Sequence, residues 1–390
     1  MDDSCQSVRH LAGHFDDGGR KEKGNMEKSE VSSINKLLDI LWESKGSDLL
    51  LISGSAPRIR VDGQLNPLKD VLPLTGDQIH SLAWPLLTES QQAIFEEQQD
   101  VDFSFSYLDR ARIRGSAFTQ RGQISLALRL IPVKVPSYDE LGLPWIANWV
   151  AEQPRGLVLV TGPTGSGKST TLASIVDRIN ETRACHILTI EDPVEYAHSH
   201  KMSAVSQREV GLDSPSFDRA LRSALREDPD VMLVGEIRDI DSIQIALTIA
   251  ETGHLVFATL HTNDAPQAID RIIDVFPAWR QDQTRVQLAA SLSAIIAQRL
   301  IPRIGGGMVA AYEVLVATNP VRNLIREGRS NQLANVMFTG SQDGMQTLES
   351  SLAKLVADEV ITFDDAMSVT GRPKELTRTM EQMNASKSLR

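Results

Sequence analysis

The chain has 390 residues, more than one hydrophobic core usually organises, so two domains are the expectation. Lys+Arg 40 against Asp+Glu 51 gives a net charge of -11, which leaves no electrostatic footprint for general nucleic-acid binding. The two cysteines, Cys5 and Cys185, cannot build a disulfide framework or a four-cysteine zinc site. No stretch approaches the ~20 apolar residues of a membrane span, and no signal-peptide core opens the chain, so a reducing, cytoplasmic setting is expected.

Residues 1–30 are polar and without period, which predicts a disordered extension; Met26 is a second candidate start. Residues 31–133 mix strands and helices, an α+β pattern. DLLLIS and RIRV read as strands, with Asp62-Gly63 as a hairpin turn after the second. Thr88 and Gln91 have capping-box spacing ahead of AIFEEQQ. The strands VDFSFSY, ARIRGSAF and QISLALRL follow, and in the last of these Ile124, Leu126, Leu128 and Leu130 share one face while Ser125 and Arg129 share the other. Prolines and a glycine between Pro132 and Pro144 break both periods and place a linker at residues 134–144.

Residues 145–371 alternate apolar strands with helical patterns: GLVLVTG, a helix from Lys168, HILTIED, SFDRALRSALRE, VMLVGE, DSIQIALTIAETG and HLVFATLHT. That alternation predicts an α/β domain with a parallel sheet of βαβ units. Beyond Asp264 the pattern reads as mostly helical, and residues 372–390 read as a flexible charged tail.

GLVLVTG runs directly into a G-x-x-x-x-G-K-[ST] pattern made by Gly162, Pro163, Thr164, Gly165, Ser166, Gly167, Lys168 and Ser169, with Thr170 following. In such a loop, glycines let backbone N–H groups turn toward phosphate oxygens, and the helix N-terminus adds partial positive charge. Lys168 is placed to reach the β and γ phosphates of ATP, and Ser169 to ligate Mg²⁺. Glu236 ends the apolar strand VMLV and is suited to orienting a water or handling the metal through water. A surface ion pair with Arg238 is the plainer reading of the same residue. Glu191 and Asp192 close another strand before Pro193. His254 and His261 bracket HLVFATLHT, which leaves one of them, His261 in the nucleotide-side set, suited to sensing phosphate while the other packs.

GPTGSGKSTT, TIEDPVE, ALREDPDVMLVGEIRD and ETGHLVFATLHT, in this order and spacing, resemble the Walker A, Asp, Walker B and His boxes of the secretion and pilus motor ATPases. Within that superfamily the chain is most similar to the type IV pilus retraction ATPases of twitching motility, from about Ile34 to Leu376. The resemblance implies a PAS-like N-terminal domain joined to a RecA-like P-loop ATPase domain, assembled as a homohexamer with ATP between neighbours. It makes Glu236 the catalytic carboxylate and Glu191 a partner in positioning water or metal, with Mg²⁺ on Ser169 and reached from Glu191 or Glu236 through water. It also raises Arg112 and Arg129, with Arg114 beside them, from solvated strand residues to phosphate contacts.

The family's S-D-L-H-L is SDLLL here, with Leu50 in place of histidine, and Tyr312 stands where a histidine often follows the Gly-rich hairpin. VRNLIREG, Val321 to Gly328, is similar to the helix associated with retraction. Read from the residues, it is an amphipathic helix with Leu324 and Ile325 inward and Arg322, Arg326 and Glu327 available to partners. The resemblance implies a peripheral position at the inner face of the cell membrane, an inner-membrane platform protein as partner, and pilin as an indirect one. The alternatives are an assembly ATPase of a type IV pilus or type II secretion system, a DNA-translocating motor, which the acidic balance counts against, and a nucleotide-binding scaffold with little hydrolysis.

Overall fold

The structure, a computed structural model, describes residues 33–388 apart from positions 62, 63, 70, 109 and 133. The expectations for residues 1–30 and for the Asp62-Gly63 turn lie outside the described residues. The chain forms two compact units: one from the residues up to Phe105 together with Arg114–Leu130, the other from Ser106–Ile113 and everything from Ile131 on.

The first sheet has six strands: β1 (Asp48–Leu51), β2 (Arg58–Val61), β3 (Gln64–Pro67), β4 (Asp100–Tyr107), β5 (Ala111–Gln120) and β6 (Gln123–Pro132), in the order β3-β2-β1-β6-β5-β4. Helix Ile34–Glu43 carries Ile34, Leu37, Leu38 and Leu41 at helical spacing, and all four are buried. Ser33 caps it by accepting from the Asn35 N–H. The expected capping box is present on helix Glu89–Gln98: Thr88 accepts from the Gln91 N–H and Gln91 accepts from the Thr88 N–H. On β6, Ile124, Leu126 and Leu128 are buried as alternation requires; Ser125, expected on the open face, is buried as well.

The second sheet has seven strands: β7 (Gly156–Thr161), β8 (His186–Glu191), β9 (Ala204–Glu209), β10 (Val231–Val234), β11 (Leu255–Leu260), β12 (Leu292–Pro302) and β13 (Met308–Val316). Their order is β13-β12-β7-β11-β10-β8-β9. Every neighbouring pair from β12 to β9 is parallel, and β13 returns antiparallel to β12. β7, β10 and β11 are buried at every position, as interior strands covered on both faces are. Because these strands run the same way, the ends of β7, β8, β10 and β11 fall on one edge of the sheet, the place where open α/β sheets hold ligands.

The stretch beyond Asp264 is mostly helical, as expected, but it also contains β12 and β13, joined through Gly305, Gly306 and Gly307, which the sequence pattern did not place. One expectation changes. Residues from Arg372 form helix Pro373–Ser388, with Leu376 fully buried in a cluster that includes Ile301, Leu352 and Ile361. A charged composition hid that apolar anchor, which Met380 and Met383 of the same helix extend. The stretch read as linker also carries a short helix, Tyr138–Leu141, whose Tyr138 hydroxyl donates to the Ala147 carbonyl.

Candidate nucleotide site

β7 ends at Thr161 and the chain turns at once through Gly162–Gly167 into helix Lys168–Thr182. Gly162 has φ 146°, and a Cβ there would lie 2.5 Å from the Gln298 carbonyl oxygen. No side chain fits at this turn. Gly167, at φ 86°, occupies the left-handed region at the helix N-cap, so a larger residue would strain the entry to the helix. The Lys168 side chain folds over the loop and its Nζ donates to the carbonyls of Gly162, at 2.9 Å, and Pro163, at 3.1 Å. Burial lowers the Lys168 pKa, and the negative charges of Glu236 and Glu195 oppose that shift.

Glu236, just past β10, meets two nitrogen-bearing side chains. Arg238 Nη2 donates to its Oε2 at 2.6 Å, and His261 Nε2 lies 3.0 Å from the same oxygen. Partial burial pushes against ionisation, but the hydrogen bonds from Arg238 and His261 outweigh it and hold this carboxyl below its ordinary range. The ion pair with Arg238 therefore exists, and it coexists with a contact to the His-box residue. His261 also reaches the phosphate loop, its Nδ1 standing 3.5 Å from Thr164 Oγ1. His254 sits at the opposite end of β11, its Nδ1 near the Ile249 carbonyl and the Thr252 hydroxyl. That histidine finishes the preceding helix.

Glu191 ends β8 beside β10. Thr189 Oγ1 donates to its Oε1 at 2.7 Å and Gln207 Nε2 at 3.3 Å. Burial pushes its pKa up to about 7 despite those donors. With Ser169, Tyr196, His198 and Gly235 it lines a cavity of about 30 Å³, room for about one water. Thr170 Oγ1 lies 3.0 Å from the Tyr196 hydroxyl, which ties the start of the loop helix to the segment after the Asp box. Lys168, Ser169, Glu191, Glu236 and His261 are thus brought to one sheet edge.

The two arginines belong to different units of the chain. Arg112 belongs to the stretch Ser106–Ile113 that groups with the second unit, and its Nη2 donates to Glu209 Oε2 at 3.0 Å. Glu209 is buried and also accepts from the Val194 N–H. Arg129 lies in the first unit, where its Nε donates to Asp48 Oδ1 at 2.8 Å. Leu50 is half-buried on β1. Tyr312 is buried on β13 as the register partner of Gln298.

The VRNLIREG segment forms helix Asn319–Arg326, which buries Val321 and Ile325, while Leu324 packs at the edge of that core. Arg322 is not available to partners as expected. Its Nη1 donates to the Ala289 and Ala290 carbonyls at the end of helix Ala278–Ser291. Those carbonyls have no partner within their own helix, and a cation supplies one. Arg326 and Glu327 are exposed.

Residues 110–308 match the family described as Type II/IV secretion system protein. The chain belongs to that family. It is 49% identical over 333 residues to the type IV pilus retraction ATPase PilT of Pseudomonas aeruginosa, covering 85% of this chain and 96% of that one. It is 48% identical over 318 residues to a twitching motility protein of Neisseria gonorrhoeae, covering 81% and 84%. The crystal structure of the pilus retraction motor PilT with bound ADP superposes with a TM-score of 0.84 at 47% identity, covering 89% of this chain and all 100% of that one. The fold is therefore α/β, with a smaller N-terminal domain ahead of a P-loop ATPase domain.

Motif reading missed Gln207, Glu209, Tyr196 and Gln298. Gln298 left one signal, a lone amide inside the apolar run LSAIIAQRLIP. The others sit in polar stretches, where nothing distinguishes a buried polar residue from a solvated one.

Proposed function

We propose that this chain is an ATP-hydrolysing motor that retracts type IV pili. The observation that carries the reading is the convergence of Lys168, Glu191, Glu236 and His261 on the phosphate loop, in a chain 49% identical across 85% of its length to a pilus retraction ATPase.

ATP is the substrate. The N–H groups of Gly165–Ser169 and the N-terminus of helix Lys168–Thr182 take its phosphates, and Lys168 exchanges the loop carbonyls for the β and γ oxygens. Glu236, held ionised by its two donors, orients the attacking water and accepts its proton as the terminal phosphate separates from ADP. His261 keeps that carboxylate aimed and registers the state of the loop through Thr164. Mg²⁺ fits this oxygen-rich edge, with the Ser169 hydroxyl as ligand and Glu191 or Glu236 acting through water, since Ser169 and Glu191 share one small cavity. When bound it neutralises charge on the β and γ oxygens. Arg112 and Arg129 serve as the arginines that stabilise charge on the transferred phosphate.

The working form is a homohexameric ring with ATP between neighbours, peripheral at the inner face of the cell membrane. Its partner is the pilus platform protein, through which pilin is handled indirectly. Among the described residues no helix is long and apolar enough to cross a membrane, which suits a motor docked onto a membrane partner. Phosphate release by the purified chain tests the catalytic half of this reading. Steady turnover of ATP supports it, whereas tight ATP binding without turnover assigns the chain to the scaffold class.

A further inference from the structure

We infer that Gln298 of β12 is a positioning residue for the phosphate loop, an assignment that rests on the nucleotide reading of that loop. Gln298 is 2% exposed, on a strand whose other polar side chains are Ser293 and Arg299. Its Nε2 donates to the Ser166 carbonyl at 2.5 Å. Ser166 and Gly167 share one peptide unit, and in a planar trans peptide the C=O and the N–H point in opposite directions. Holding the Ser166 carbonyl toward β12 therefore turns the Gly167 N–H away from the sheet, to the side where phosphate oxygens are received.

The same residue also lies against both glycine positions, through its backbone carbonyl at Gly162 and its side-chain amide at Gly167. A Cβ on Gly162 would lie 2.5 Å from the Gln298 carbonyl oxygen, and one on Gly167 would lie 3.2 Å from Gln298 Nε2. The Gly-x-x-x-x-Gly spacing is thus matched to a single residue of the neighbouring strand, which touches the loop at its first and last glycine. The loop's own Ser166 hydroxyl is buried without a hydrogen-bond partner, so it supplies no alternative tether. A filler glutamine would contribute packing alone. A positioning glutamine contributes affinity for phosphate.

The test is Gln298→Met in the full chain, which keeps length and shape and removes the donor. Four quantities are read: the Kd for ADP, the KM and the kcat for ATP, and the thermal midpoint without nucleotide. The expected result is a rise of roughly 5- to 10-fold in Kd and KM, the upper range for one neutral hydrogen bond, with a smaller fall in kcat and a thermal midpoint within a few degrees of the parent. ADP affinity within twofold of the parent overturns the assignment, as does a fall in thermal midpoint with no change in affinity. Should Gln298→Met not fold, Gln298→Asn keeps the polar amide but draws it back by one methylene, and is read by the same criteria. A parent chain that binds no ADP overturns the nucleotide reading itself, a result distinct from equal binding by parent and variant.

Discussion

His261 Nε2 lies 3.0 Å from Glu236 Oε2 while its Nδ1 stands 3.5 Å from Thr164 Oγ1. The strand order explains how one imidazole reaches both. β11 lies between β7 and β10, so the residue that follows β11 stands between the loop after β7 and the carboxylate after β10. Glu236→Gln keeps size and hydrogen-bonding shape but loses the charge, so turnover should fall by roughly 10²-fold or more with ADP binding retained. His261→Ala removes an aiming contact and leaves the carboxylate, so its loss should be smaller. Single-turnover hydrolysis measured alongside ADP affinity separates the two, and equal losses in both variants would remove the distinction between base and aiming residue.

Arg112 and Arg129 each already hold a carboxylate, Glu209 and Asp48 respectively. If they also stabilise the transferred phosphate, Arg→Ala at either position should cut ATP turnover while ADP affinity is kept. Arg→Lys should restore little, since lysine lacks the planar fork that holds two oxygens. Unchanged turnover in both alanine variants returns these residues to structural ion pairs.

Arg322 and Arg326 should now behave differently. Arg322→Ala strips the donor from two helix-end carbonyls and should lower stability by about 1–3 kcal/mol, the scale of a hydrogen bond from a charged group. Arg326→Ala removes an exposed side chain and should leave the thermal midpoint within a few degrees and the ATPase rate within a few-fold of the parent, while retraction in cells is lost. Retraction that persists without Arg326 means the exposed side of this helix is not a coupling surface.

Much of the site was legible because its parts are tied to local chemistry. The Gly162 to Ser169 spacing names a phosphate loop, and carboxylates at the ends of VMLV and HILTI mark a shared edge once the strands are parallel. β12 and β13 were harder. LSAIIAQRLIP is buried through most of its length, so it carries no alternation, and its alanines fit a helix as readily as a strand. The tether from Gln298 to Ser166 joins residues far apart in sequence, and no local pattern encodes it. The Arg322 contact failed for the same reason: amphipathicity gave the helix its inward face but not the neighbouring helix end that an outer arginine reaches.

Glu313 gives a pH-dependent prediction away from catalysis. It is buried on β13 and accepts from the Ala265 N–H at 2.8 Å. Burial, with Asp264 and Glu349 adding negative charge, pushes its pKa up to about 7. The folded chain therefore keeps this acid neutral over a range where the unfolded chain ionises it. Its contribution to stability is complete below the ordinary glutamate pKa and is lost as pH rises toward about 7. Glu313→Gln stays neutral at every pH, so its thermal midpoint should decline less than the parent's between about pH 5 and 8. Parallel curves for the two proteins would show that Glu313 is already ionised in the fold.

Counting surface pili in cells that carry either the parent chain or Glu236→Gln as the only copy tests the central claim most directly, with both proteins at equal level. A retraction motor that has lost hydrolysis leaves filaments extended, so the predicted result is more surface pili with twitching abolished. Loss of pili in the Glu236→Gln cells would make the chain an assembly motor, and pilus number and twitching equal to the parent would contradict the account.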